Sequence, residues 1–264
     1  MSKLGTDPYK GVRDFYPEDM AIQNYIFNTW RKVVEGKGYV EYSASILEPT
    51  EIYTEKSGLE IINEQTFTFT DRGDRSVTLR PEMTPTLARM VAARRRNLKF
   101  PLRWYSIPNL FRYERPQRGR KREHWQLNCD LLGIADISAD IEIISVAYNI
   151  MKAFDAKDED FEIRLNYPNG KPEELEDFVS KLGLAGIKNT KIDVDLARGQ
   201  AYYTGIVFEI FDTHPDNNRS LCGGGRYDNL LEMFEVDPIP AVGFGMGDVT
   251  LRDFLEAHKL RPYA

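Results

Sequence analysis

The chain has 264 residues, 42% hydrophobic and 12% aromatic, with a formal net charge of −6. That length gives one or two domains that bury a core without disulfide or metal staples, and 14 Phe, 14 Tyr and 3 Trp exclude a disordered chain. Cys129 and Cys222 form no CxxC pair and the three histidines form no HExxH, which excludes the common zinc motifs; no metal ligands are assigned. The charged start lacks a leader's apolar segment and no 18-residue apolar run exists, so the expectation is a cytoplasmic protein without a membrane partner.

In chain order, Pro17 followed by Glu18 and Asp19 predicts a helix start, and Ile22, Tyr25, Ile26, Trp30 and Val33 continue it until Gly36 and Gly38. Phe67–Thr70 and Val77–Leu79 around Asp71-Arg72-Gly73-Asp74 predict a hairpin. Thr84 and Pro85 open a helix bearing Leu87, Met90 and Val91, and a long hairpin is predicted from Leu102 to Leu132. A helix follows from Ser138 to Phe154, then a turn cluster at 166–171 that is the best candidate linker. A helix over Pro172–Leu182 is expected to end with Gly183 as its C′ residue, a strand to run from Tyr202 to Phe211, and a last helix to begin near Asp248. Strands joined by short loops, without a regular βα repeat, predict an α+β fold around an antiparallel sheet.

The basic residues are clustered despite the acidic total. Arg94, Arg95, Arg96 and Lys99 form one group, and the stretch from Arg103 to Arg122 another. Concentrated cations in an acidic protein point to a local anionic ligand, although for either cluster taken alone a solvated face is the commoner case. Within 111–130, alternation puts Arg112 and Glu114 on one strand face, and His124, Gln126, Asn128 and Asp130 on a polar face opposite Trp125, Leu127, Cys129 and Leu131. The intervening loop is rich in arginine, whose fork suits phosphate oxygens. A second segment, 195–209, places Tyr203, Gly205, Val207 and Glu209 on one strand face. The runs Gly223-Gly224-Gly225-Arg226-Tyr227-Asp228 and Gly243-Phe244-Gly245-Met246-Gly247-Asp248 match neither a P-loop nor a Rossmann fingerprint. Alternating glycines leave either a flat floor for a planar ring or room for helix–sheet packing.

In order, the blocks GVRDFYPED, LRPEMTPTLAR, FRYERPQRGRKREHWQLNCD, RGQAYYTGIVFE and GGGRYDNL resemble the histidyl-tRNA synthetase family of class II aminoacyl-tRNA synthetases. The resemblance spans about Gly11 to Glu256 and implies an antiparallel sheet flanked by helices, a ligase that joins histidine to transfer RNA with ATP as substrate and Mg²⁺ as cofactor, and a homodimer with Pro49 near its interface. It further implies that Glu82, Thr84, Arg112, Gln126, Asp130, Arg198, Tyr202 and Tyr203 bind histidine, that Arg112, Glu114, Arg120, Arg122 and Glu209 serve ATP, and that Arg112 and Arg198 are catalytic.

The chain departs from the family pattern at three points. Thr250 stands where the third class II motif carries an adenine-stacking arginine, and Gln200 stands where an apolar residue is usual. Residues 166–191 are expected to be the remnant of a reduced insertion domain within one catalytic domain, 1–264, without an anticodon-binding domain, so transfer RNA should bind weakly. The alternative is a non-catalytic histidine sensor resembling the regulatory subunit of ATP phosphoribosyltransferase. Such a sensor needs the histidine pocket but not the phosphate-facing arginines. A generic nucleic-acid-binding module is the remaining reading, and it predicts salt-sensitive binding that does not need histidine.

Overall fold

A computed structural model describes residues 4–54, 65–168, 170–197, 202–217 and 219–262. In chain order the elements are α1 (Pro17–Gly36), β1 (Val40–Glu41), β2 (Leu47–Pro49), α2 (Glu51–Thr54), β3 (Phe67–Thr70), β4 (Ser76–Leu79), α3 (Thr84–Arg94), β5 (Leu102–Ser106), β6 (Asn109–Phe111) and β7 (Glu123–Leu132). There follow α4 (Ser138–Ala153), β8 (Phe161–Asn166), α5 (Pro172–Leu184), β9 (Thr190–Ile192), β10 (Val207–Asp212), β11 (Ser220–Arg226), a 3₁₀ turn at Leu230–Phe234, β12 (Ala241–Gly247) and α6 (Asp248–Ala257).

The main sheet has nine strands in the order β1-β5-β7-β12-β11-β10-β8-β9, with β6 continuing the pairing along β7. Its pairs are antiparallel except for β1–β5 and β8–β9. The α+β class expected from the short-looped strands is thus the observed one. Period-2 alternation divides β7 between the two faces of the sheet. Leu127, Cys129 and Leu131 enter the main core, where they meet Ile26, Trp30, Ile143, Ile150, Phe208, Phe244, Leu251 and Phe254. Gln126, Asn128 and Asp130 look to the other face. There a smaller cluster, including Leu87 and Val91 of α3, Tyr202, Tyr227 and Leu230, walls the space above the sheet.

Two buried polar hubs lock this frame. Asp248, fully buried at the start of α6, accepts from Arg13 Nη2 (2.7 Å), Gln23 Nε2 (3.0 Å) and the Trp125 amide (2.9 Å), so it ties the N-terminal segment, α1 and β7 together. A buried carboxylate with this many donors is satisfied. Arg226 grips Asp140 at the start of α4 and donates to the carbonyls of Ile134 and Asp136. The arginine of the glycine-rich run is therefore structural.

The second sheet, β2-β4-β3, is inverted in polarity. Its register puts Leu47, Pro49, Val77, Leu79, Phe67 and Phe69 on one face and Glu48, Thr78 and Thr68 on the other. The polar face points inward: Glu48 is paired with Arg89 Nε and Nη2 of α3 at 3.1 and 2.8 Å, and Thr78 joins Thr50 and Thr68 through hydroxyl contacts of 2.9 and 2.8 Å. Leu47 and Phe69 on the apolar face remain 44% and 47% exposed.

Three sequence expectations need correction. Helix α5 runs through Gly183, and the left-handed residue after its C-cap is Gly186, at φ +90°. The strand expected from Tyr202 starts at Val207, since the Thr204 amide bonds back to Arg226 O and turns the chain before the ladder begins. Strand β6 stops at Phe111, so Arg112 and Glu114 lie beyond the strand rather than on it. Among the described residues no helix is long and apolar enough to cross a membrane.

Candidate active site

Two chambers open on the face of the main sheet that carries Gln126, Asn128 and Asp130. The smaller, about 120 Å³, is lined by Glu82, Thr84, Asn128, Asp130, Tyr202, Tyr203 and Tyr227 among others. The larger, about 660 Å³, is bounded by Glu114, Arg120, Lys121, His124, Glu209, Arg219 and Thr250 among others. Arg112, Gln126, Gly223 and Gly245 line both, so the chambers are contiguous and Arg112 stands at their junction.

Each functional side chain is placed by an identifiable local cause. The Arg112 Nε donates to the Pro81 carbonyl at 2.9 Å, which orients the fork and leaves its two terminal nitrogens for a ligand. Pro81 and Glu82 lie just before the N-cap of α3, Met83, and the helix itself begins at Thr84. Glu82 is buried and accepts from Tyr202 Oη at 3.1 Å. Asp130 accepts from Tyr227 Oη. Burial pushes the Asp130 carboxyl up to about 7, and the Tyr227 hydroxyl offsets only part of the desolvation. Burial, with Arg112 and Arg13 adding repulsion, pushes His124 down to about 3, so its imidazole is neutral at physiological pH.

The alternating glycines resolve into neither of the two expected roles. Gly243 and Gly245 of β12 stand opposite Asp130 and Asn128 of β7, and Gly245 and Gly243 stand opposite Gly223 and Gly225 of β11. A Cβ on Gly243 would overlap Asp130 Oδ1, and one on Gly245 would overlap Gln126 Nε2. The missing side chains are therefore the space into which the carboxylate and the amide lean. Gln126 Nε2 is held there by Asn128 Oδ1 at 2.8 Å.

Ten sequence-selected residues line the cleft: Glu82, Thr84, Asp130, Tyr202 and Tyr203 around the smaller chamber, Glu114, Arg120 and Glu209 around the larger, and Arg112 and Gln126 in both. Arg122 does not. It is buried beside the cleft, its Nη1 donating to Tyr9 Oη at 2.9 Å and its Nε to Glu114 O at 3.2 Å, with its guanidinium 3.9 Å from the Tyr113 ring centre. It therefore anchors the basic loop instead of facing a ligand. Arg198 and Gln200 fall outside the described residues. Sequence reasoning assigned no role to Tyr227, His124, Asn128 or Arg219, all of which line the chambers. His124 and Asn128 share the alternating face that selected Gln126. Nothing local marks Tyr227, whose partner Asp130 comes from a distant strand.

Among the described residues no group of three or more His, Cys, Asp or Glu side chains could hold a metal ion. The larger chamber does offer hard oxygen: Glu209 and Glu114 line it, and Glu114 Oε2 is buried without a hydrogen bond, its ion-pair neighbour Arg120 Nε lying 3.5 Å away. Carboxylate oxygens beside a site for phosphates fit magnesium, which binds through one or two carboxylates together with substrate phosphate oxygens.

The described site thus pairs a small acidic and tyrosine-walled pocket with a cationic chamber, across one oriented arginine. Comparison with known proteins points the same way. The family model described as histidyl-tRNA synthetase matches residues 11–169 and 170–249. A histidine–tRNA ligase of Leptospira biflexa is 40% identical over 333 residues, covering 98% of this chain and 76% of the relative. That of Thermoplasma volcanium is 36% identical, covering 97% and 76%. The structure of apo Staphylococcus aureus histidyl-tRNA synthetase superposes with a TM-score of 0.83 at 28% identity, over 99% of this chain and 72% of that one. A Bacillus halodurans protein titled an ATP phosphoribosyltransferase regulatory subunit/histidyl-tRNA synthetase reaches 0.82 at 23% identity, over 97% and 84%, which is a likeness of fold. With the motif residues gathered around one cleft and the match running through nearly the whole chain, the protein belongs to the histidyl-tRNA synthetase family.

Proposed function

We propose that the protein joins histidine to ATP, giving histidyl-adenylate and pyrophosphate, and then passes the histidyl group to the 3′ end of a transfer RNA. The observation that carries this reading is the position of Arg112 between an amino-acid-sized pocket and a cationic chamber. In-line attack of a carboxylate on the α-phosphorus requires the two reactants to meet at that junction, where a guanidinium counters the charge growing on the phosphoryl oxygens. Glu82, Gln126 and Asp130 would hold the amino acid, with Thr84, Tyr202 and Tyr203 completing its pocket. Arg120 would take phosphate oxygens, and Glu114 and Glu209 would help hold magnesium, which screens the phosphates when bound. Each of these residues lines the cleft.

The test is histidine-dependent exchange of pyrophosphate into ATP. Exchange that requires histidine, and no other amino acid, is the expected result. Histidine binding without exchange would instead favour the sensor reading, for which the phosphate-facing chamber has no use.

In the same proposal the chain is one class II catalytic domain in which residues 166–191 replace an insertion. The aligned region of the Leptospira relative is longer than this whole chain, so the relative carries internal segments lacking here, and the family match divides between residues 169 and 170. Less basic surface then remains for the RNA backbone, and charging should be more salt-sensitive than adenylate formation. The outward apolar face of β2-β4-β3 supports a homodimer, since a second copy supplies the cover that Leu47 and Phe69 lack.

The glycines of β12 provide a structural check. Gly245→Ala is expected to displace the Gln126 amide, weakening histidine binding about tenfold with little change in melting temperature, because the flexible end of Gln126 can yield. Gly243→Ala meets the rigid Cys129 carbonyl as well as Asp130, and should also lose about 1–3 kcal/mol of stability. Calorimetric titration with histidine, alongside thermal melts, separates the two effects.

A further inference from the structure

We propose that Arg219 is a polyphosphate-binding residue of the larger chamber, delivered by the β10–β11 connection and seated against the tip of the basic loop. This rests on the adenylate-forming reading and names a residue that neither the sequence blocks nor the resemblance singled out.

Arg219 precedes β11 by one residue and lines the larger chamber together with Arg120 and Lys121. It is half-buried, and it makes no hydrogen bond or ion pair with any described residue. An incompletely solvated cation without a counter-charge is costly, and a chamber wall is where an anionic ligand would supply one. The wall already holds Arg112, Arg120, Lys121 and Arg219 against Glu114 and Glu209, with His124 neutral, so the described lining is cationic.

A second, independent observation is the backbone of the basic loop. Gln117 and Arg120 pair across a tight turn, the Gln117 amide reaching Arg120 O at 3.2 Å and the Arg120 amide reaching Gln117 O at 3.0 Å. Gly119 at that turn has φ +73°, and a Cβ there would lie 2.7 Å from Arg219 Cδ and 3.1 Å from its Nε. The loop tip therefore rests on the Arg219 stem. A ligand drawing on Arg120 and Lys121 meets Arg219 in the same place. The next atom near that Cβ position is Thr250 Cγ2, at 3.6 Å.

The lining also indicates which part of the nucleotide is met. Arg112 lines both chambers, whereas Arg219 lines only the larger, away from the carboxylate-facing junction. Seated against the loop that carries Arg120 and Lys121, Arg219 takes the phosphates that leave as pyrophosphate. Its fork suits phosphate oxygens in bidentate fashion.

The experiment compares wild type with Arg219→Met and Arg219→Lys in ATP–pyrophosphate exchange and in calorimetric titrations with pyrophosphate and with AMP. Arg219→Met should raise the KM for ATP and for pyrophosphate about tenfold, Arg219→Lys by less, while the KM for histidine, the affinity for AMP and the melting temperature stay within twofold or a few degrees. An unchanged ATP KM, or an equal loss for AMP and pyrophosphate, overturns the assignment. Should the wild type show no exchange, the adenylate reading fails on its own, and pyrophosphate titration still decides: wild-type binding weakened about tenfold in Arg219→Met upholds the phosphate site, and equal or absent binding overturns it.

Discussion

Replacement of Arg112 by glutamine is expected to lower histidine-dependent ATP–pyrophosphate exchange by about a thousandfold, the largest single effect in the cleft. Three features set that size. Its Nε is committed to the Pro81 carbonyl, so the fork is already oriented before substrate arrives. It is the only charged side chain among the described lining residues that borders both chambers. In the proposed reaction it also stands where charge grows on a phosphoryl group, and such preorganised donors contribute mainly in the transition state. The loss should therefore fall on kcat more than on the KM for ATP. Arg112→Lys keeps a point charge but forfeits the fork and its anchor, and about a hundredfold loss is expected. A lysine variant with near wild-type turnover would mean that charge alone suffices and that the Pro81 anchor has no catalytic consequence.

The second large effect separates stability from binding. Asp130 is buried with one hydroxyl donor, and its carboxyl titrates near 7 instead of the ordinary value of about 3.9. The folded state thus holds a proton that the unfolded state has released between pH 4 and 7. Stability from this group is lost as pH rises through that window, and the deficit is complete above 7. Asp130→Asn keeps an acceptor for Tyr227 and removes the deficit. At pH 8 the variant should be more stable by about 1–3 kcal/mol, whereas near pH 4 the two proteins should melt alike. Histidine binding should fall about a hundredfold, because a neutral amide cannot meet a cationic amino group. In the wild type, histidine affinity attributable to Asp130 should rise with pH through about 7 as the carboxylate forms. Denaturant melts at pH 5 and 8, with calorimetry across the same range, test both halves. Equal stability of variant and wild type at pH 8 would refute the electrostatic account.

Much of the frame could be read from residue spacing. The helix starts at Pro17, Thr84, Pro172 and Asp248 were marked by proline or acidic residues, and β7 was marked by its clean alternation. What escaped was set by partners distant in sequence. On the sheet β2-β4-β3 it is the polar residues Glu48 and Thr78 that are buried, because Arg89 of α3 meets Glu48 and Thr50 and Thr68 share hydroxyl contacts with Thr78. Arg122 looked equivalent to Arg120, and Tyr9 from the N-terminal segment, with Glu114 O and the Tyr113 ring, holds it away from the cleft. Gly183 and Gly186 are both plausible helix terminators, and the choice was made by Leu182 entering the core, so that the helix continues past the first of them. The resemblance gathered most of the site residues, while the Tyr227–Asp130 hydrogen bond and the place of Arg219 in the chamber wall depend on segments far apart in sequence.

Asn166, the last residue of β8, donates from its amide nitrogen to the carbonyls of both Val194 and Leu196, at 3.0 and 2.9 Å. One side chain thus clasps the two ends of the excursion that carries α5 and β9. Whatever lies between those ends enters and leaves the domain at a single fastened point, beside the place where the family match divides. The excursion is nonetheless built into the fold, since β9 pairs with β8 and Leu175, Phe178 and Leu182 of α5 enter the main core. A foreign unit spliced in beyond Asn166 would therefore have to restore that edge strand and that core face if the strands bearing Glu209, Gln126 and Asp130 are to keep their register.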